Sequence, residues 1–449
     1  MLLSGGSGKR LWPLSNEVRS KAFLKLLRSP DGGTESMIQR VCRGLEEAEL
    51  LQCCCIVTHH TQTEITRRHA GGIIPVLGEP QKRGTFTAIA LAAAYFHSVE
   101  GLGPDETVIV LPVDSFVEPS FFELLRLLPG ALGDSGAEVA LLGTVPRFPS
   151  DAFGYIVPKS WKRDGEYFQV GSFIEKPDKA MAEKLISQGA LWNCGVFACS
   201  LRYLLSCMAE RGIPPLYDRL LERYDSLPQE SFDREVVEKT GRAVVLPYDG
   251  AWNDLGDWEQ LCRHLKDRVT GKGHVSEDSR DTHLVNELAI PIRVVGAPGL
   301  IIAASPDGIL VAGKSEASRI KNELQAACPL PMYEEKRWGS SVILDISISD
   351  EGRETVISKV KMEPGTHTSH HLHRGATETW TIAAGSGEYV LGGVVKQISA
   401  GESVFISPGV PHSIRALTLL EIIQVETGTP PVKEDIVKLP PIWDGDLHG

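Results

Sequence analysis

The stretch MLLSGGSGKRLWPLS, residues 1–15, decides the fold of the first part of the chain. Three apolar residues, Met1 to Leu3, run into a glycine-rich segment, and this pattern predicts a short buried strand that ends in a loop. The backbone N–H groups of such a loop can bind an anion, and Lys9 and Arg10 add cations beside it. The stretch therefore predicts a phosphate-binding loop. Because the predicted strand is so short, we also expect the natural chain to start a few residues upstream.

Two better-known glycine loops do not fit this stretch. A P-loop needs Gly, four residues and then Gly-Lys-Ser/Thr, but Leu3 stands at its first position and Arg10 at its last. A dinucleotide fingerprint needs G-x-G-x-x-G, and Leu11 stands where the third glycine belongs. Lys21 adds a further cation shortly afterwards, and cations beside a glycine turn suit a polyphosphate. A plain tight turn is the alternative for such a cluster.

The composition is that of an ordinary globular protein with two or three domains. The chain has 449 residues, of which 42% are hydrophobic and 23% charged. It shows no membrane span, no signal peptide and no C-x-x-C pair among its nine cysteines, so we expect a cytoplasmic protein that does not bind membranes. A net charge of -12 without a basic stripe argues against nucleic acid as a partner, whereas a small nucleotide is compatible.

The chain divides into three segments with different sequence patterns. Residues 1–265 alternate strand-like and helical runs, which predicts an α/β domain with a largely parallel sheet. Residues 266–330 carry short β-type runs and predict a β-rich connecting module. Residues 331–449 alternate in period two with glycine turns, which predicts a small β-barrel or sandwich followed by a C-terminal tail. Within the first domain, Thr34 is expected to cap a helix over residues 36–41.

Two aspartates are candidates for a metal site. Asp114 follows the buried-strand pattern Thr107–Pro112, at the edge where open α/β sheets place their ligands. Asp254 lies in a distant segment. Together they suit Mg²⁺, because this ion takes one or two protein carboxylates and completes its shell with phosphate oxygens and water. Taken alone, each aspartate also fits a turn or a capping position.

In their order and spacing these motifs resemble one family, the bacterial mannose-1-phosphate guanylyltransferases, which make GDP-mannose. The motifs are Ser4–Ser15, Ser20–Leu24, Glu79–Thr85, Leu111–Asp114, Phe153–Ile156, Phe173–Pro177, Trp192–Phe197 and the segment around Asp254. The resemblance implies a Rossmann-like mixed sheet of the GT-A-like nucleotidyltransferase type and a β-helix-like connecting module. It implies a reaction in which the mannose 1-phosphate oxygen attacks the α-phosphorus of GTP and expels pyrophosphate.

The resemblance also implies which residues act. The triphosphate is expected to contact the loop amides and one cation, namely Gly5, Gly6, Gly8 and Arg10. Lys21 is expected on the reacting phosphate, Asp114 and Asp254 on Mg²⁺, and Gly84 near the base. The sugar-phosphate pocket is expected to be shaped by Gly154, Glu175, Lys176 and Asn193.

The chain departs from the family near the implied nucleotide pocket. Ser20–Phe23 reads Ser-Lys-Ala-Phe where Pro-Lys-Gln-Phe is usual, and Arg83–Ala88 reads Arg-Gly-Thr-Phe-Thr-Ala instead of Arg-Asn-Thr-Ala-Pro-Ala. Base and sugar preference therefore stay open. Two alternatives remain: another sugar-1-phosphate nucleotidyltransferase, or a non-catalytic protein on the same fold that senses a sugar or a metal.

The C-terminal segment carries histidines at metal-ligand spacing. A Gly-x5-His-x-His-x4-Glu-x6-Gly pattern from Gly365 fits the first cupin motif, and Gly-x5-Ser-Pro-Gly-x2-His from Gly401 fits the second with proline displaced by one position. Side chains two apart on a strand share a face, and a turn can return the carboxylate. The expected ligands, for Zn²⁺, Fe²⁺ or Mn²⁺, are His371, His373, Glu378 and His412. A solvated histidine-rich loop is the alternative.

A guanylyltransferase fused to a cupin resembles the bifunctional enzymes that also act as type II mannose-6-phosphate isomerases. Such an isomerase needs a base, and a metal or cation to polarise the sugar oxygens. The family has an arginine directly after the last histidine. Here Ser413 stands in that place, and Arg415 is the candidate substitute. Isomerase activity therefore stays open, as does the oligomeric state, for which a homo-oligomer is one expectation.

Overall fold

A computed structural model describes residues 1–6, 9–161, 166–324 and 331–443. The chain forms two compact units, one of Met1–Leu11 with Ser20–Lys266 and one of Trp12–Arg19 with Asp267–Gly449. The domain limits expected at residues 265 and 330 stay predictions. No helix within the described ranges has the length and apolar character needed to cross a membrane.

The first unit alternates strands and helices. Its strands are β1 (Leu2–Ser4), β2 (Leu27–Arg28), β3 (Thr34–Glu35), β4 (Ile56–His59), β5 (Val76–Glu79), β6 (Thr107–Pro112), β7 (Ser115–Val117), β8 (Val139–Thr144), β9 (Tyr155–Pro158), β10 (Phe168–Ile174), β11 (Leu191–Ser200), β12 (Ala243–Tyr248) and β13 (Trp252–Asp254). Its α-helices are α1 (Met37–Glu47), α2 (Thr63–His69), α3 (Gly84–Ser98), α4 (Ser120–Leu125), α5 (Leu128–Ser135), α6 (Lys179–Ser187), α7 (Leu201–Glu210), α8 (Tyr217–Glu222) and α9 (Trp258–His264). A π-helix covers Asp233–Val237.

The large sheet of this unit has the order β5-β4-β1-β6-β11-β8-β12-β10-β9. β5, β4, β1 and β6 are parallel, so their carboxyl ends lie along one edge. β11 is antiparallel to both β6 and β8, whereas β8 and β12 are parallel. The expected mixed sheet is confirmed, whereas the expectation of a largely parallel sheet is wrong, because four of its eight neighbouring strand pairs are antiparallel. The loops after β5, β1 and β6 therefore meet at the edge where open α/β sheets bind ligands.

Both faces of this sheet are covered by apolar side chains. Val110 and Leu111 are consecutive in β6, and they belong to two different core clusters on opposite faces. Leu141 and Leu142 divide in the same way in β8. A strand buried on both sides reads as a continuous apolar run, which is why the sequence around β6 predicts a strand so clearly.

Helix α1 is capped by Ser36 and not by Thr34. The Ser36 Oγ accepts a hydrogen bond from Gln39 N at 3.3 Å, and Gln39 Oε1 accepts one from Ser36 N at 3.0 Å. These reciprocal bonds form a capping box, which satisfies two helix N-terminal donors at once. Thr34 lies in strand β3 instead. The prediction that Thr34 caps the helix is therefore wrong.

The second unit is rich in β-structure. Its strands are β14 (Val269–Gly271), β15 (Gly273–Val275), β16 (His283–Asn286), β17 (Ile292–Val294), β18 (Leu300–Ser305), β19 (Gly308–Gly313), β20 (Tyr333–Lys336), β21 (Gly339–Ile348), β22 (Glu354–Met362), β23 (His371–His373), β24 (Thr377–Ala384), β25 (Ser386–Leu391), β26 (Val394–Ser399), β27 (Ser403–Ile406), β28 (His412–Ala416), β29 (Leu420–Gly428) and β30 (Ile436–Lys438). Helix α10 covers Ile320–Glu323.

The strands after residue 330 form a small β-barrel from two sheets. One sheet has the order β20-β21-β22-β29-β24-β27 and the other β26-β25-β28-β23-β30. The inner faces share a core that includes Met362, Trp380, Ile414 and Ile422. Before them, β14, β16 and β18 are stacked in parallel, and β19 returns antiparallel to β18. This arrangement agrees with the β-rich connecting module and the cupin β-barrel that the sequence predicts.

The short segment Trp12–Arg19 packs within the second unit, although it follows the glycine loop directly in sequence. The side chain of Arg19 is 7% exposed and forms a two-pronged ion pair with Glu287, at 2.8 and 3.0 Å. Asn16 Nδ2 donates to Asp307 Oδ2 at 2.8 Å. These buried polar contacts fix the segment before the chain continues into Lys21.

Candidate active site and metal centre

Two aspartates and a lysine form a charged centre in the first unit. Asp114 stands between β6 and β7, and Asp254 ends β13, which pairs with β7 so that Asp254 lies opposite Ser115. Lys21 Nζ is 2.8 Å from Asp114 Oδ2 and 3.1 Å from Asp254 Oδ1. The side chains of the two aspartates are 37% and 35% exposed. The fold thus gathers three residues that the sequence predicts as catalytic.

These groups shift one another's pKa values. Partial burial disfavours the charged form of Asp114, but the Lys21 ammonium outweighs it and holds the pKa of Asp114 below its usual range. Burial, together with repulsion from Asp114, raises the pKa of Asp254 although Lys21 opposes the shift. The two carboxylates raise the pKa of Lys21 against the effect of burial. The centre therefore holds a cation between two acids that repel each other.

The carboxylate pair fits a divalent cation. One ammonium already lies within 3.1 Å of an oxygen from each aspartate, so a cation has a place between them. Carboxylate oxygens are the ligands that Mg²⁺ prefers in proteins, and the exposed fraction leaves room for water and phosphate oxygens in the remaining positions. Asp114 and Asp254 are the residues that would hold such an ion.

The glycine loop begins beside these aspartates. Leu3 of β1 pairs with Pro112 of β6, and Val113 N donates to Leu3 O at 3.1 Å. Gly5 and Gly6 follow as exposed residues, so their backbone is open to a ligand. Gly8 lies outside the described residues, and nothing is described of the Lys9 side chain. The structure thus puts the start of the predicted phosphate loop at the expected edge.

Arg10 is exposed and lies near the same centre. Its charge lowers the pKa of Asp254, and together with Asp254 it lines a cavity of about 150 Å³. Phe153 and Trp192 line this cavity as well. Each is the chain neighbour of a predicted sugar-pocket residue, Gly154 or Asn193, but those residues do not themselves line this cavity.

Glu79 is a site candidate that the sequence reasoning passed over. It ends β5 at the ligand edge, is 5% exposed, and accepts a hydrogen bond from Tyr224 Oη at 2.6 Å. A Cβ on Gly5 would lie 4.0 Å from Glu79 Oε2, so the carboxylate borders the glycine loop. Burial raises the pKa of Glu79. The sequence could have shown an acid at the end of a strand, but not that this strand lies parallel to β1 through β4.

Close packing of the backbone explains why position 84 is a glycine. It begins α3 with φ +84°, and a Cβ there would come within 2.2 Å of Glu230 O. Any other residue would collide with this carbonyl and strain the backbone. Its predicted place near the base stays a prediction.

The four predicted sugar-phosphate residues form a second cluster. Asn193 N donates to Gly154 O at 2.8 Å, and Lys176 Nζ lies 2.5 Å from Glu175 Oε1. A Cβ on Gly154 would lie 2.7 Å from Glu175 Oε2, so a side chain at this position would have to displace the carboxylate. Among the described contacts, none joins this cluster directly to Asp114 or Lys21.

The predicted cupin ligands converge inside the barrel of the second unit. His371 and His373 lie in β23, and His371 is the register partner of His412 in β28. His412 Nε2 and His373 Nε2 are 2.9 and 3.2 Å from Glu378 Oε2. One ligand atom from each of these four residues lies within 4.8 Å of the others.

The chemistry of this cluster calls for a cation. His412 Nδ1 donates to Val410 O at 2.8 Å, so in the neutral imidazole Nε2 is an acceptor, and it faces Glu378 Oε2. His412 Nε2, His373 Nε2 and Glu378 Oε2 are all buried without a hydrogen-bond partner. Acceptors that face one another in a buried site are costly unless a cation lies between them. His₃Glu is a ligand set that suits a divalent transition metal.

Two of the pKa shifts agree with a metal site, whereas that of His373 does not, because Glu378 outweighs the effect of burial and raises the pKa of His373. Burial and the neighbouring His412 lower the pKa of His371 to about 4, so this imidazole is neutral at pH 7. Burial disfavours the charged form of Glu378, but its contacts with His373 and His412 hold the pKa below the usual range. Neutral imidazole and ionised carboxylate are the forms that bind metal ions.

Ser413 and Arg415 face away from the metal cluster. They alternate with His412 and Ile414 along β28, so they lie on the opposite face of the strand. Ser413 Oγ accepts a hydrogen bond from Trp443 Nε1 at 2.8 Å, and the Arg415 guanidinium lies 4.7 Å from the Trp443 ring centre. Arg415 also pairs with Glu388. In this arrangement Arg415 is not the cationic partner of the ligand cluster.

The fold and the charged centre of the first unit define a class. A sheet whose parallel carboxyl edge carries a glycine loop, a lysine and two aspartates is a nucleotidyltransferase architecture. The chain belongs to the nucleotidyl transferase family, whose model matches residues 1–269. A cupin domain model matches residues 358–423.

Particular relatives cover nearly the whole chain. It is 28% identical over 480 residues to the mannose-1-phosphate guanylyltransferase ManC of Salmonella typhimurium, covering 98% of this chain and 96% of that protein. It is 28% identical over 486 residues to the alginate biosynthesis protein AlgA of Pseudomonas aeruginosa, covering 99% and 96%. A solved structure described as mannose-1-phosphate geranyltransferase from Thermus thermophilus covers 72% of this chain and 98% of that one, at 28% identity and a TM-score of 0.59. The resemblance seen in the motifs is confirmed.

Proposed function

We propose that the chain transfers GMP from GTP to α-D-mannose 1-phosphate and releases pyrophosphate. The observation that carries the proposal is the position of Lys21 between Asp114 and Asp254, beside the start of the glycine loop. This is the arrangement that a nucleotidyl transfer needs, with cationic and metal-binding groups around one phosphate. The similarity to a mannose-1-phosphate guanylyltransferase over nearly the full length supports the choice of sugar.

The reaction balances without covalent participation of the protein. The phosphate oxygen of mannose 1-phosphate forms a bond to the α-phosphorus of GTP, and the bond from that phosphorus to the bridging oxygen of the β-phosphate breaks. Pyrophosphate leaves with the bonding electrons. A Mg²⁺ ion on Asp114 and Asp254 supplies charge neutralisation at the reacting phosphates when it is bound. The work left to the chain is binding and alignment of the two substrates.

Three groups of the chain perform this work. Arg10, exposed beside the cavity, neutralises charge on the triphosphate, and the open backbone at Gly5 and Gly6 contacts its oxygens. With Asp114 and Asp254 engaged as metal ligands, the Lys21 ammonium would be able to contact the phosphate that reacts. Because these groups already stand at one edge of a rigid sheet, little reorganisation is needed in the transition state.

The position of the Glu79 carboxylate supports guanine as the base of the nucleotide substrate. Guanine presents two kinds of donor on one edge, the N1–H and the N2 amino group, and a carboxylate accepts both. Glu79 lies at the edge where the loops after β5, β1 and β6 meet, and it borders Gly5. Adenine offers no pair of donors of this kind, so the carboxylate favours GTP over ATP. The departures in Arg83–Ala88 do not include this residue.

A substrate panel tests the proposed function. The purified full chain with Mg²⁺ is offered each of GTP, ATP, UTP and dTTP with mannose 1-phosphate or glucose 1-phosphate, and pyrophosphate release is measured. We expect fastest release from GTP with mannose 1-phosphate. Faster release with another pair would make the chain a different sugar-1-phosphate nucleotidyltransferase. No release from any pair would favour a non-catalytic sensor.

For the second unit we propose a resident divalent transition metal on His371, His373, Glu378 and His412. A second activity, interconversion of mannose 6-phosphate and fructose 6-phosphate, is favoured by one further observation. Glu426 is buried, lies 3.8 Å from His373 Nε2 and contacts Lys433 at 2.5 Å, so the cluster has a carboxylate and an ammonium next to it. Incubation of the metal-loaded full chain with mannose 6-phosphate tests this activity. Unchanged substrate would leave the cupin as a metal-binding domain.

The same proposal gives the small-molecule partners of the chain and its cellular compartment. GTP and mannose 1-phosphate are its partners, and the cytoplasm is the compartment that holds both. The described cysteines are all free, and most of them are buried, as expected for a reducing compartment.

A further inference from the structure

The amide of Asn193 is held in a single orientation. Its Oδ1 accepts a hydrogen bond from Gly195 N at 3.0 Å, and its Nδ2 donates to Asp233 Oδ1 at 3.0 Å. A backbone N–H can only donate and an ionised carboxylate can only accept, so the reversed amide would lose both bonds. Asn193 is 7% exposed, which makes such a loss costly.

The residue that fixes this amide comes from the π-helix at Asp233–Val237. Its wide turn is closed by Glu238 N, which donates to Asp233 O at 2.8 Å. Glu238 Oε1 in turn accepts a hydrogen bond from Glu175 N at 2.7 Å. One segment therefore holds both Asn193 and Glu175. π-Helices are rare, and those that occur are frequently found at functional sites. This one forms hydrogen bonds with two residues of the predicted sugar-phosphate pocket.

We propose that Asp233 is a positioning residue, which holds the Asn193 amide so that its second N–H meets an oxygen of the bound sugar phosphate. Asp233 does not touch the substrate itself. Its other oxygen accepts a hydrogen bond from Ser231 Oγ at 3.1 Å, which keeps the carboxylate in place. The inference rests on the proposed function for the identity of the ligand, mannose 1-phosphate.

The charge of Asp233 gives the arrangement a pH dependence. Burial, and then repulsion from Glu175, raises the pKa of Asp233 to about 6, while Ser231 and the Lys176 ammonium oppose the shift. Above pH 6 the carboxylate is ionised and accepts from Asn193. As the pH falls through 6, the carboxyl gains a proton, becomes a weaker acceptor and can itself donate, so the hold on the amide weakens. Sugar-phosphate binding should therefore weaken toward pH 5 more than the ionisation of the substrate explains.

Three variants of the full chain test the inference. Asp233→Ala removes the acceptor, and we expect the KM and the Kd for mannose 1-phosphate to rise about 10-fold, as for loss of one buried hydrogen bond. The KM for GTP should stay within about 2-fold, since the change lies in the other substrate's pocket. Asp233→Asn still presents a carbonyl oxygen to Asn193, so it should restore binding at pH 7.5. Glu235→Gln, on the same π-helix but paired with Lys239, is the matched control and should change neither constant.

The pH profile separates positioning from a merely structural role. Between pH 5 and 7, the ratio of the KM values of wild type and Asp233→Asn should change around pH 6, because the substrate ionises identically in both measurements. A constant ratio would overturn the inference, and this comparison stands even if Asp233→Ala is unstable in a thermal melt. The inference would also be overturned if Asp233→Ala raised the KM values for mannose 1-phosphate and GTP equally, or changed neither.

Direct binding keeps this result distinct from that of the proposed function. Calorimetric titration with mannose 1-phosphate and with glucose 1-phosphate gives Kd values without turnover. If wild type binds either compound but releases no pyrophosphate, the proposed function fails, and the Kd ratio of wild type to Asp233→Ala still decides about Asp233. If wild type binds neither compound, the inference fails.

Discussion

The two charged clusters of the chain satisfy their charges in opposite ways. In the first unit Lys21 lies between Asp114 and Asp254, whose side chains are about a third exposed. In the cupin, His373, Glu378 and His412 are at most 2% exposed, and their converging atoms have no hydrogen-bond partner. An open cluster that carries its own counter-charge suits ligands that enter and leave in each turnover. A closed cluster of converging ligand atoms suits a metal ion that stays.

The largest expected effect follows from removal of the open cluster's carboxylates. Asp114→Ala and Asp254→Ala should each lower pyrophosphate release by at least about 10³-fold, because charge neutralisation at the reacting phosphate is lost. The fold should remain, since both side chains are partly exposed at the edge of the sheet. Steady-state kinetics and circular dichroism check the two statements. Near-normal turnover of both variants under saturating Mg²⁺ would remove the aspartates from the site.

The cations around the open cluster should have the next largest effect. Arg10→Ala and Lys21→Met are expected to lower kcat/KM by about 10²- to 10³-fold, as for groups that act on charge developing in the transition state. Lys25→Met is the matched control, because Lys25 is exposed and close in sequence to Lys21. Small and equal effects at all three positions would reduce the glycine loop to an ordinary turn.

A smaller effect is expected for the base. Glu79→Gln replaces a pure acceptor by a group with one acceptor and two donors, so the preference for GTP over ATP in kcat/KM should fall by about 10-fold. Tyr224→Phe leaves the carboxylate and removes only its phenol partner, and should change the preference less. The ratio of initial rates with the two nucleotides measures both variants. An unchanged ratio in Glu79→Gln would place base recognition elsewhere.

The smallest expected effect concerns Arg415. Since it faces away from the metal ligands and pairs with Glu388 in a partly exposed ion pair, Arg415→Ala should keep the full metal content. It should lower the free energy of unfolding by about 1 kcal/mol or less. Metal analysis and a thermal melt provide the two readouts. Loss of the metal in this variant would mean that Arg415 acts on the cluster after all.

The sequence was sufficient for features that depend on periodicity and on strand ends. The apolar run before Asp114 predicts a buried strand, and the spacing of His371, His373 and Glu378 predicts ligands on shared strand faces. Both features are local, because a strand's period and its end are visible in a few residues. The same locality explains why the phosphate loop could be placed after β1.

The features that sequence reasoning missed depend on contacts between distant segments. Glu79 becomes a candidate only because β5 lies parallel to β1 through β4, and Asp233 only because a π-helix some forty residues after Asn193 returns to it. The expectation that Arg415 takes the role of an arginine at position 413 does not hold, for a different reason. It matched charge and distance along the chain, and the two positions do share a strand face, but that face is turned away from His412.

One experiment tests whether the two clusters act independently of each other. Pyrophosphate release from GTP with mannose 1-phosphate, and the bound transition metal, are measured on the full chain for Asp114→Ala and for the double variant His371→Ala/His412→Ala. We expect Asp114→Ala to keep the metal and lose transfer, and the double variant to lose the metal and keep transfer. Loss of both properties in both variants would contradict two independent centres, as would a double variant that still binds its full complement of metal.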